Sequence, residues 1–203
     1  MGSSMSNSLD KLNNQTIFIS GTPCTGKTSI STKLNDYLIS AGFNTLFIKI
    51  NDLAIENDLV LGEDPDKFYK VIDIERLNDV LKGKIDNFLG SESESPRIAI
   101  AEGHLSHLCE GADKMIVLRL NPVELGKRLV ERNYPESKIQ ENLEAEALAV
   151  CSAEAYEIYG ERTCEIDTTN KSMDEVLDLV IKIICGELES PAGSVDFMDW
   201  FLI

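Results

Sequence analysis

The chain has 203 residues, a 43% apolar fraction and 35 acidic against 19 basic side chains, for a formal net charge of −16. That length suits one domain with one core, and no apolar run approaches the roughly 20 residues that span a bilayer. The charge argues against sequence-independent binding to nucleic acid, because phosphate repels the average surface. Five scattered cysteines with no C-x-x-C pair argue against a disulfide framework or a zinc-bearing lid, and for a reducing, cytoplasmic setting.

The Ser/Asn-rich residues 1–14 are expected to be disordered. Residues 16–28 then read T-I-F-I-S-G-T-P-C-T-G-K-T, a β-branched run entering G-x-x-x-x-G-K-T. A strand Thr16–Ser20 ending at Gly21, with a helix starting near Lys27, makes a P-loop. Its backbone amides and the helix N-terminus converge on phosphate. Lys27 reaches the β/γ-phosphates, and the Thr28 hydroxyl is placed to ligate Mg²⁺. Cys24 occupies a loop position that favours glycine, at a cost of roughly 1 kcal/mol if φ is positive. It reads either as a thiol activated by the helix N-terminus or, more simply, as a small residue the loop tolerates.

Further strands are predicted at Thr45–Ile50, Arg97–Ala101, Met115–Leu120 and, more weakly, Cys164–Asp167. Helices are predicted near 27–40, 73–89, 122–132, 136–158 and 173–188. Short apolar strands alternating with helical patterns imply a parallel sheet covered on both faces by right-handed crossovers. Asn121-Pro122 and Pro135 mark helix starts. Gly90–Pro96 is a polar loop, and no internal repeat is present. The tail S-V-D-F-M-D-W-F-L-I (194–203) holds the only Trp. Trp200, Phe201 and Ile203 either dock on the protein's own surface or meet a partner.

The Arg97–Ala101 strand runs into A-E-G-H. A carboxylate at the end of a strand beside a P-loop can hold Mg²⁺, which nominates Glu102. His104, two residues on, projects to the same side and could orient an attacking water. His107 reads as an ordinary loop residue. Arg128 and Arg132, four apart, share a helix face from which two guanidinium groups can close on a transferring phosphoryl group.

These residues together resemble adenylate kinases of the small archaeal and eukaryotic nuclear type, over residues 16–188. The resemblance rests on Gly21–Thr28 (G-T-P-x-x-G-K-T), Glu102-Gly103-His104, the R-x-x-x-R-x-Y of Arg128 to Tyr134, and Lys138–Asn142. It implies a P-loop nucleoside-monophosphate kinase fold: an α/β domain over 15–189 with a five-stranded parallel sheet, helices on both faces and a short lid. The nucleotide-monophosphate region falls near 49–72 and the lid near 131–141. ATP contacts are implied at Cys24, Gly26, Lys27, Thr28, Ser29 and Arg132. Two positions depart from the family pattern. Glu102 stands where Asp is frequent, and Ile55 stands where relatives can carry the arginine of D-L-A-R-E. Arg76, beside Asp73, is the nearest replacement cation for the acceptor nucleotide.

The expected activity is ATP + AMP ⇌ 2 ADP with Mg²⁺, with broad acceptor specificity and slow ATP hydrolysis. Lys27, Glu102, His104 and Arg132 are the catalytic candidates. Family likeness also implies a role in small ribosomal subunit maturation through a basic ribosomal protein. Two alternatives stay open: an ATP-switched assembly factor with incidental kinase activity, or another P-loop small-molecule kinase.

Overall fold

A computed structural model describes Leu9, residues 12–64 and residues 69–202. Five strands form the central sheet: β1 (Gln15–Ser20), β2 (Asn44–Lys49), β5 (Arg97–Glu102), β6 (Lys114–Arg119) and β7 (Thr163–Asp167). Their order is β2-β5-β1-β6-β7, and every pairing is parallel. Strand β1, which feeds the P-loop, is therefore central, with β5 between it and β2. All five strands point their C-terminal ends the same way, and the loops that leave them share one rim. Two further strands, β3 (Val60–Asp64) and β4 (Tyr69–Ile72), form a separate antiparallel hairpin.

Alternation along each strand divides the core in two. Ile17, Ile19, Ile98, Ile100, Ile116 and Leu118 face α1 (Lys27–Ser40) and α7 (Met173–Ile184). Phe18, Ala99, Ala101, Met115 and Val117 face the other way, with α3 (Ile74–Gly90) and α6 (Val150–Tyr159). This is the period-2 consequence of a sheet buried on both sides. A smaller cluster joins α4 (Pro122–Glu131) to α5 (Glu136–Ala147) through Leu125, Leu129, Ile139 and Leu143. Helix starts follow capping chemistry. Asn121 caps α4 ahead of Pro122, Asp73 caps α3, and Ser172 with Glu175 forms a capping box on α7.

The structure revises several boundaries. The second strand stops at Lys49, and Ile50 opens a short helix α2 (Ile50–Glu56), buried over Gly103, where an added Cβ would come within 3.0 Å of the Ile50 Cβ. An apolar β-branched residue there read as strand; its burial comes from the helix instead. The expected single helix over 136–158 is two, broken at Ala149 with φ 55°. No Gly or Pro announces that break. It arises because α5 packs on the small third cluster while Cys151, Ala155 and Tyr159 of α6 pack on the second. The last helix ends at Ile184, earlier than expected, with Gly186 at φ 72° just beyond it.

Within the first 14 residues, 1–8, 10 and 11 lie outside the described residues. Leu9 and Leu12 are buried in the core, and Asn14 Oδ1 accepts from the Arg97 amide. The tail is stitched to the sheet edge. Glu165 N donates to Ser190 O, Pro191 bridges Cys164, and the Phe197 ring lies 5.4 Å from the Arg119 guanidinium carbon. Trp200 is half-buried and packs edge-on against Phe201, while Phe201 and Leu202 are exposed; Ile203 lies outside the described residues. No helix among the described residues is long and apolar enough to cross a membrane.

Candidate active site

The loop between β1 and α1 is shaped by three residues with positive φ: Gly21 at 139°, Cys24 at 69° and Gly26 at 104°. Gly21 passes so close to β6 that a Cβ there would sit 2.3 Å from the Leu118 carbonyl oxygen. Only glycine fits. Cys24 does occupy the left-handed region, so its strain is real; α1 starts directly from Gly26.

Lys27 is buried, and its ammonium donates to the carbonyls of Gly21 (2.8 Å) and Thr22 (2.9 Å). Burial pulls its pKa below the ordinary lysine value, against the opposing field of Glu102 and other groups. The Thr28 hydroxyl donates to both Glu102 oxygens, at 3.1 and 3.2 Å. Glu102 is buried at the end of β5, which raises its carboxyl above the usual range; Thr28, Lys27 and Lys49 work the other way. Among the described residues no cluster of three His, Cys, Asp or Glu could hold a metal alone. A hydroxyl and one carboxylate beside a phosphate cradle fit Mg²⁺, a cation that keeps waters and takes its remaining ligands from phosphates.

His104 lies open to the cavity, with Nδ1 3.2 Å from the Gly21 carbonyl oxygen. A carbonyl can only accept, so that geometry puts the proton on Nδ1 and leaves the Nε2 lone pair available. Burial by the surrounding loops, helped by the nearby Lys27 charge, lowers the ring's pKa to about 4, which keeps it neutral at pH 7.

These groups meet at one cavity of about 360 Å³. It is lined by Cys24, Gly26, Lys27, Thr28 and Ser29 of the P-loop and α1, by Glu102 at the end of β5 and His104 beyond it, by Arg132 and Tyr134 after α4, and by Lys49 at the end of β2 with Asn51 and Asp52 of α2. Arg128 stands just outside, donating to the Cys24 carbonyl at 3.3 Å. Asp73 and Arg76 are not among the lining residues. The Asp73 carboxylate accepts from the Arg76 backbone amide as the cap of α3. Instead Lys49, paired in register with Glu102, brings a cation to that side.

Sequence reading missed a buried group beneath the loop. His107 is buried on a short turn, with Nδ1 2.7 Å from Ser20 Oγ and Nε2 2.8 Å from Glu154 Oε2. It is a structural tie between the end of β1 and α6, not the plain loop residue expected. Its only sequence signal was proximity to His104.

A family model described as an AAA domain matches residues 17–149. A protein of Methanothermobacter thermautotrophicus named "putative adenylate kinase" is 42% identical over 186 residues, covering 92% of this chain and 99% of that one. The chain belongs to this family. Its members of the same name include one from Archaeoglobus fulgidus, 38% identical with 90% and 91% covered, and one from Halobacterium salinarum, 32% identical with 91% and 98% covered. Among solved structures, a gluconokinase from Sinorhizobium meliloti 1021 superposes with a TM-score of 0.51 at 15% identity, over 85% of this chain and 92% of that one. A thymidylate kinase from Candida albicans gives 0.51 at 12%, over 85% and 91%. At those identities they establish the fold, which is that of the P-loop kinases, and the family carries it.

Proposed function

We propose that the chain is a nucleoside-monophosphate kinase that transfers the γ-phosphoryl group of ATP to AMP, giving two ADP, and hydrolyses ATP slowly. The observation that carries this reading is the single cavity lined from two sides. The P-loop and Arg132 supply one side, Lys49, Asn51 and Asp52 the other, with Glu102 at the end of the strand between and His104 just beyond it. Two phosphate-bearing substrates need cations on both flanks, and this cavity has them.

Phosphoryl transfer asks a protein mainly for position and charge. Lys27 and Arg132 stabilise the moving group, and Lys49 faces the acceptor phosphate. Thr28 and Glu102 would hold Mg²⁺, which would supply positive charge against the phosphates of the nucleotide. The neutral His104, with Nε2 free to accept, orients water for hydrolysis. An acceptor phosphate is already ionised near neutral pH and needs no such base.

An assay of ADP formation from ATP with each nucleoside monophosphate tests the reading. ADP production should depend on AMP or a close analogue. Activity only with a hydroxyl-bearing small molecule would replace it with another P-loop kinase activity. A second reading, an ATP-switched assembly factor for the small ribosomal subunit, is supported by the net charge of −16, which favours a basic ribosomal protein as partner. That complex should form at low salt, respond to nucleotide and weaken as salt rises.

A further inference from the structure

Beneath the P-loop, away from the cavity, lies a buried ionic cluster that the mechanism above does not use. Arg119 at the end of β6, Glu146 in the last turn of α5 and Glu165 on β7 are only 1%, 2% and 0% exposed. Arg119 Nε donates to Glu146 Oε1 at 2.9 Å, Nη2 to the Glu146 carbonyl at 2.7 Å, and Nη1 to Glu165 Oε1 at 2.7 Å. The Leu120 amide adds a donor to Glu146 Oε1 at 3.0 Å. The tail closes the outer side: Val195 N donates to Glu165 Oε2, the Val195 carbonyl accepts from Arg119, and the Phe197 ring covers the guanidinium. Glu146 is thus held from several directions by fixed backbone and by a guanidinium that cannot lose its proton.

The remaining Glu146 oxygen points at the phosphate loop. It accepts the Thr22 hydroxyl at 2.5 Å. Thr22 is itself a node, because its carbonyl accepts from Lys27 Nζ at 2.9 Å, from the Thr25 hydroxyl at 2.9 Å and from the Thr25 amide at 3.3 Å. Turning the Thr22 peptide would move the lysine's anchor and the start of the cradle together. We propose that Glu146 is a positioning residue for phosphate binding, fixing the P-loop and the Lys27 ammonium through the Thr22 hydroxyl. This deepens, and rests on, the nucleotide-kinase reading of the cavity. A charged acceptor suits the task, since a hydrogen bond to a buried carboxylate is stronger than one between neutral groups and permits less loop excursion.

The test uses Thr22→Val, which keeps shape and removes the hydroxyl, Thr22→Ser, which restores the hydroxyl without the methyl, and Thr22→Ala in case the Val variant does not fold. For each purified full chain, the Kd for MgATP, the kcat and KM for ATP at saturating AMP, and the Tm are measured. Thr22→Val or Thr22→Ala should lose about 10–100-fold in MgATP affinity and kcat/KM, the scale typical of removing a supporting partner of a site residue. Thr22→Ser should recover most of that loss. A lowered Tm with wild-type Kd and kcat would make the contact merely structural and overturn the proposal. So would a Thr22→Ser variant as weak as Thr22→Val. Wild-type protein that binds MgATP but makes no ADP with any nucleoside monophosphate refutes the kinase reading, while the Kd comparison still judges Thr22.

Discussion

The Thr28 hydroxyl donates to both carboxylate oxygens of Glu102, 74 residues away in sequence, at 3.1 and 3.2 Å. The second residue of α1 and the last residue of β5 thereby offer an all-oxygen pair beside the phosphate cradle. Glu102→Gln keeps the volume and an acceptor for Thr28 but removes the charge. Its kcat should fall by about 10²-fold, with a higher Mg²⁺ requirement and little change in metal-free ATP binding. A Mg²⁺ titration of activity checks this; an unchanged titration curve would take Glu102 out of the metal site.

Lys27→Ala should abolish transfer and hydrolysis together. Losing a charged contact to the moving phosphoryl group typically costs about 10²–10³ in rate. The fold should survive, because among the described residues Lys27 Nζ donates to the loop carbonyls of Gly21 and Thr22. Circular dichroism alongside the rate measurement separates the two effects. A folded variant with half the wild-type rate would contradict the assignment.

His104→Ala should reduce ATP hydrolysis more than AMP phosphorylation, measured on one preparation. With its pKa lowered to about 4, the wild-type ring stays unprotonated through the ordinary histidine range. The hydrolysis rate should therefore show no inflection near pH 6.5. The stability sign follows the same logic. Between about pH 4 and 6.5 the unfolded ring holds more protons than the native one, so its contribution is present above 6.5 and declines as pH falls toward 4. A hydrolysis inflection at 6.5 that disappears in His104→Ala would show that the ring titrates normally.

Lys49→Met removes the cation on the β2 side of the cavity and keeps most of the apolar stem. KM for AMP should rise about tenfold or more while KM for ATP changes little. Arg76→Ala should leave both constants alone, since Arg76 is not among the cavity-lining residues. If Arg76→Ala carries the AMP effect and Lys49→Met does not, the acceptor cation is Arg76.

Gly21→Ala should destabilise the protein by more than about 2 kcal/mol, because its Cβ would meet the Leu118 carbonyl at 2.3 Å in a left-handed backbone. Cys24→Gly, at φ 69°, should be neutral within about 1 kcal/mol, since relief of strain and added unfolded-state entropy oppose each other. Urea unfolding of both variants checks the pair. Equal stability of Gly21→Ala and wild type would mean the loop relaxes away from β6.

What could be read from sequence alone was whatever repeats locally. The strand–loop–helix of Gln15–Ser40 declares itself through β-branched residues, two glycines and a lysine at fixed spacing, because several amides must converge on one phosphate within eight residues. The two-sided sheet follows from short apolar strands. Glu102 and His104 were legible because they sit at a strand end, where an α/β sheet places its ligand-facing loops. Tertiary structure alone decided the rest. Ile50 became helical because its burial is over Gly103. The 136–158 pattern broke at Ala149 because its two halves serve different cores. Lys49 lines the β2 side of the cavity and Arg76 does not, because β2 ends beside Glu102 while Asp73 and Arg76 form the start of α3. The Thr22–Glu146–Arg119 and Ser20–His107–Glu154 ties left no sequence signature beyond the closeness of His107 to His104. Their contacts join residues from 27 to 124 positions apart, and a buried polar group shows its partner only once the chain has closed around it.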